Sequence, residues 1–124
     1  MTINNSLNWF EIPVADFERA RKFYGTLYDF EMPSVPMGDT MMGFFPVEPG
    51  HIGGAIVKFD GSTPSQDGSL IYLNGGDDLD VILQRVPGAG GKILMEKTAI
   101  SDEHGFYATF LDTEGNRVAL HSMA

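Results

Sequence analysis

Trp9-Phe10-Glu11-Ile12-Pro13-Val14-Ala15-Asp16-Phe17 opens a plan that this chain states twice. A strand-like run meets an aspartate, and an amphipathic helical pattern follows it to about residue 30. Residues 70–93, beginning Leu70-Ile71-Tyr72-Leu73-Asn74-Gly75-Gly76-Asp77-Asp78-Leu79, repeat the plan. The two helix-opening aspartates, Asp16 and Asp78, lie 78 − 16 = 62 residues apart, half of the 124-residue chain. An internal repeat lets functional positions in one half be compared with those in the other.

Within the first half, Ser6–Val14 reads as a strand with an edge-like exit at Pro13. Asp16 is a good N-cap, and Glu18 complements the helix dipole in the first turn. Apolar residues at Phe17, Ala20, Phe23, Tyr24, Leu27 and Tyr28 make a helical stripe, with Arg19, Arg21 and Lys22 on the other side. The helix should stop near Tyr28, where Asp29 tolerates a left-handed conformation better than most residues. Met41–Val47 and His51–Phe59 look like strands around the Glu48-Pro49-Gly50 turn. Gly61–Gly68 carries no apolar residue and reads as the loop between halves.

In the second half, Ser69–Asn74 reads as a strand, and Asp77/Asp78 as the cap of a helix. Its stripe is Leu79, Ile82, Leu83 and Val86, and Pro87-Gly88 is expected to end it. Lys92–Lys97, Tyr107–Asp112 and Arg117–Ser122 follow as strands, the last two joined by Thr113-Glu114-Gly115-Asn116. Each half is strand, helix, three strands. The helices would cover one side of each sheet and leave the other side to face its counterpart or a partner subunit.

The length suits one compact domain, residues 1–124, with modules at about 6–60 and 69–123. With no cysteine, a disulfide framework, a thiolate zinc site and a Cys nucleophile are all excluded. No apolar stretch nears the roughly 20 residues that span a bilayer, and the N-terminus lacks signal-peptide features. A cytoplasmic location is the expectation. Seventeen acidic against eight basic residues give a net charge of −9, which argues against nucleic acid or anionic membrane as a partner.

Glu11-Ile12-Pro13-Val14-Ala15-Asp16, Arg19-Ala20 and Phe23-Tyr24 in the first half, with Gly90-Gly91-Lys92 and Asp112-Thr113-Glu114-Gly115-Asn116-Arg117 in the second, resemble the vicinal oxygen chelate superfamily. That group includes glyoxalase I, bleomycin-resistance proteins and extradiol dioxygenases. The resemblance covers nearly the whole chain. It implies an α+β fold of two tandem βαβββ modules forming a cupped, partly open mixed β-barrel with helices outside, commonly completed in a homodimer. In metal-dependent members, His, Glu or Gln side chains from the first and last strands of each module hold a divalent ion. That ion acts as a Lewis acid on vicinal oxygens of the substrate.

By that resemblance the four ligand positions fall at Trp9, Gly54, Ile71 and Ala119, none of which can ligate a divalent ion. Residues two further along a strand share its face. Those are Glu11, Ile56, Leu73 and His121, so Glu11 and His121 are the candidate acid/base pair or partial metal site. Two protein ligands are too few for ordinary zinc geometry. Trp9, with Phe44 or Phe45, Tyr72, Tyr107 and Phe110, could line an aromatic pocket for a planar or cationic ligand. Two readings follow. One is a protein that binds a small organic molecule in the cup, expecting no cofactor and lacking the usual glyoxalase metal site. The other is a divergent metal-dependent lyase, isomerase or dioxygenase that uses Glu11 and His121 with Zn, Ni, Mn or Fe.

Overall fold

The computed structural model describes residues 1–124. The first module comprises β1 (Trp9–Pro13), α1 (Phe17–Tyr28), β2 (Ser34–Met37), β3 (Thr40–Phe44) and β4 (Gly53–Lys58). The second comprises β5 (Ile71–Asn74), two short helices α2 (Asp80–Leu83) and α3 (Val86–Ala89), then β6 (Lys92–Ser101), β7 (Gly105–Leu111) and β8 (Arg117–Ser122). Their strands form two mixed four-stranded sheets, ordered β1-β4-β3-β2 and β5-β8-β7-β6. The first strand of each module pairs in parallel with the last, and the remaining pairs are antiparallel. The fold is therefore α+β with two tandem modules. The sheets do not close into a barrel, so the cup stays open along the β1 and β5 edges. No helix is long and apolar enough to cross a membrane.

The helix α1 starts and stops as its residues dictate. The Asp16 carboxylate accepts the Arg19 amide at 3.1 Å, and Asp29 takes φ 51° and ψ 53° at the C-terminus. Its buried stripe is Phe17, Ala20, Phe23, Tyr24 and Leu27. The second helical segment departs from expectation, because Pro87-Gly88 does not end it. Pro87 has no N–H for the Leu83 carbonyl, so the helical ladder breaks. Its fixed φ then suits the first turn of α3, which ends instead at Gly90 with φ 106°.

Helix-facing residues from both sheets share one core, including Ile12, Phe45 and Ile56 of the first and Leu73, Phe110 and Leu120 of the second. The modules are locked at both ends of α1. At its start, Glu114 accepts the Ala15 and Asp16 amides at 3.0 and 2.7 Å, and Asn116 Nδ2 donates to the Pro13 carbonyl at 2.8 Å. Buried Tyr24 donates to Asp112 at 2.7 Å. Burial first, then the Asp112 charge, push the Tyr24 hydroxyl well above the ordinary phenol range. At the far end, Tyr28 Oη donates to the Asn74 carbonyl and Arg85 to the Leu27 carbonyl, each at 2.8 Å.

The 62-residue repeat read from the aspartates does not carry over to the structure. Leu79, not Asp77 or Asp78, stands at the N-cap of α2, and of the backbone amides the Asp78 carboxylate accepts only that of Asp80. The strands keep a different spacing. Phe10 and Ile71 occupy equivalent core-side positions, 71 − 10 = 61 apart, as do Ile12 and Leu73. The closing bonds from Val14 N–H to Val57 and from Gly75 N–H to His121 keep the same 75 − 14 = 61 spacing. The second linker holds one more residue, Gly76-Asp77 against Ala15 alone. A one-residue slip exchanges the two faces of a strand. Ile71 thus packs toward the helices rather than into the cup, and Tyr72 takes the open face.

Candidate functional site

Strand alternation fixes two open faces on the sides away from the helices. On the first sheet, Trp9 and Glu11 of β1 stand beside Gly53 and Ala55 of β4, with Phe44 of β3 next in register. Trp9 is 43% exposed, its ring centroid lies 6.0 Å from that of Phe44, and its Nε1 donates to Glu11 at 3.3 Å. On the second sheet, Tyr72 and Asn74 of β5 register with Ala119 and His121 of β8, and His121 with Tyr107 of β7. The Tyr72 and Tyr107 rings are 6.4 Å apart. The His121 Nε2–H donates to the His104 carbonyl at 2.6 Å.

Several sequence-derived site positions move once the register is known. Gly54 faces the helices, where a Cβ would run into the Phe10 ring. Ile56 and Leu73 are buried core residues on that same side. The cup-facing neighbours are instead Gly53, Ala55, Tyr72 and Asn74. Phe110 is fully buried and packs its ring 5.9 Å from Phe23, so it lines no pocket. Trp9 pairs with Phe44 on one face and Tyr72 with Tyr107 on the other. No hydrogen bond or ion pair joins Glu11 to His121, and each has a different partner, Trp9 and the His104 carbonyl.

Between the modules, near the N-terminal end of β1, lies a cavity of about 410 Å³. Phe10, Tyr28, Phe45, Ile71 and Tyr72 form much of its wall. Sequence reading missed Phe10 and Tyr28 as site residues, while Phe45 stood only as the alternative to Phe44 and Ile71 only as a matched ligand position. Their only local signal is apolar patterning, which marks core equally well. Burial alone pushes the Tyr28 hydroxyl well above the ordinary phenol range. A smaller cavity of about 280 Å³ lies further along β1 and includes Glu11 and Arg117.

A family model described as Glyoxalase/Bleomycin resistance protein/Dioxygenase superfamily matches residues 6–120. The chain belongs to this superfamily. A glyoxylase-like domain-containing protein from Didymella fabae is 30% identical over 126 residues, covering 97% of this chain and 95% of that protein. Among solved structures, TnmS3, an antibiotic-binding protein from Streptomyces sp. CB03234, superposes with TM-score 0.68 at 22% identity, covering 100% of this chain and 99% of that one. A glyoxalase I mutant from Zea mays gives TM-score 0.72 at 17% identity, covering 94% of this chain but 45% of that one. These two likenesses establish a shared fold.

Divalent ions are a feature of glyoxalase-type members, and the residues here do not fit one. With the observed register the four ligand positions carry Trp9, Gly53, Tyr72 and Ala119, which supply no imidazole or carboxylate. No three His, Asp or Glu side chains gather anywhere in the chain in a set that could hold a metal ion.

Proposed function

We propose that this superfamily member binds a small organic molecule in the apolar cavity between its modules, with no divalent ion at the glyoxalase positions. The cavity carries the reading. At about 410 Å³, walled by aromatic and aliphatic side chains, it falls within the size range of small-molecule sites. The open-face pairs Trp9–Phe44 and Tyr72–Tyr107 extend apolar surface on either sheet beyond its mouth. The fold shared with an antibiotic-binding protein supports a binding role. An enzyme built on Glu11 and His121 has less support, because the two side chains are engaged separately. A second copy of the chain is the proposed cover for the open faces, where Trp9, Val35 and Met37 are exposed.

Thermal melting against a panel of aromatic and alicyclic compounds tests the binding reading. A ligand at 100 times its Kd stabilises by about 2.7 kcal/mol, a readily measured rise in Tm. Elemental mass spectrometry of protein purified without added metal tests the rest. Near-stoichiometric Zn, Ni, Mn or Fe, lost in Glu11→Ala or His121→Ala, would overturn the metal-free reading.

A further inference from the structure

We infer that the cavity selects an uncharged, largely apolar ring compound with one hydrogen-bond donor and one acceptor, and rejects both cations and anions. This rests on the binding reading above and narrows it. The chain carries a net charge of −9, yet none of the twelve residues lining the cavity is Asp, Glu, Lys, Arg or His. Its acidity lies elsewhere and offers a charged ligand no partner here. A buried charge without a partner is expensive. The environment of Tyr28 agrees, since its hydroxyl is shifted by burial with no contribution from a neighbouring charge.

The polar side chains on its wall are Tyr28, Asn74 and Tyr72, and the half-exposed Tyr72 hydroxyl can either donate or accept. Tyr28 gives its only hydroxyl proton to the Asn74 carbonyl at 2.8 Å, so its oxygen can serve a ligand only as an acceptor. Asn74 Oδ1 accepts the Gly76 amide at 2.8 Å, which leaves the Asn74 Nδ2 amide group as a donor. A ring alcohol, phenol or lactam matches that pair, and none of the three side chains neutralises an ion.

Isothermal titration calorimetry at pH 7 with naphthalene bearing a hydroxymethyl, carboxylate or aminomethyl group tests this. The alcohol is expected to bind at least tenfold tighter than either ion. Ile71→Trp, which fills the cavity, should abolish that binding. Leu7→Trp at the exposed mouth serves the same purpose if Ile71→Trp does not fold. Equal or tighter binding of an ion overturns the inference and leaves the binding reading standing. Alcohol binding that survives in a folded cavity-filling variant overturns the placement. If none of the three binds at millimolar concentration, the binding reading falls and the inference with it.

Discussion

Glu114 shows how much one side chain can hold in this protein. Its buried carboxylate accepts the Ala15 and Asp16 amides, the Arg19 guanidinium at 2.8 Å and the Thr113 hydroxyl at 2.9 Å. Burial by itself would raise its pKa. The hydrogen bonds from Arg19, the backbone and Thr113 outweigh that and hold it below the ordinary value of 4.5. A carboxyl depressed on folding stabilises the native state above its unfolded pKa, and that stability is lost as pH falls through the folded pKa. Glu114→Gln should therefore cost about 1–2 kcal/mol at pH 7, because its one oxygen can still accept the two amides while an NH2 group replaces the oxygen that accepts from Arg19 and Thr113. Urea titrations should show the gap to wild type narrowing below pH 4.5. An equal gap at pH 7 and pH 3.5 would refute the charge dependence. In the sequence, Thr113–Asn116 reads only as a turn, because the first-module partners of Glu114 sit 95 or more residues away.

At the scale of elements, agreement between sequence and structure follows how local the forces are. α1 matches its expected bounds, since cap, stripe and left-handed stop all lie within the segment. The first strand is shorter than Ser6–Val14, because the parallel register with β4 begins only at Trp9 and runs to Pro13. β6 runs past Lys97 to Ser101, carried by pairing with β7 through register shifts that no local pattern announces. β2, at Ser34–Met37, is exposed throughout and offers no alternation to read. The β1–β4 pair yields a sharp contrast. Gly54→Ala should destabilise by about 1–3 kcal/mol, because its methyl meets the Phe10 ring and forces repacking. Gly88→Ala in α3, with open space around it, should be neutral or stabilising by up to about 1 kcal/mol. Chemical denaturation of the two variants side by side checks this, and equal effects would refute the packing argument.

For the whole molecule, the open faces set the next prediction. Trp9 is 43% and Tyr72 53% exposed, each on a sheet face that no helix covers. Light scattering should give twice the 13.6 kDa chain mass at micromolar concentration. Trp9→Glu should shift the mass toward the monomer with unchanged circular dichroism. A wild-type mass of one chain across that range would remove the proposed dimer. The cavity belongs to this scale as well. Its walls come from β1, the end of α1, Phe45 beyond β3, and β5, so no single segment could reveal it.

The sequence by itself determined the duplication, the caps of α1 and the superfamily, because these rest on periodicity and on motifs a few residues long. It also determined that no Cys can take part. Only the tertiary structure decided which face each strand presents. One extra residue between β5 and its helix turns Ile71 inward and Tyr72 outward, and side-chain alternation passes that slip along the strand. It likewise gave Glu11 and His121 different hydrogen-bond partners and placed Phe110 in the core. The apolar cavity formed where two modules meet with no strand of one sheet paired to a strand of the other, a long-range packing outcome that residue order alone does not encode.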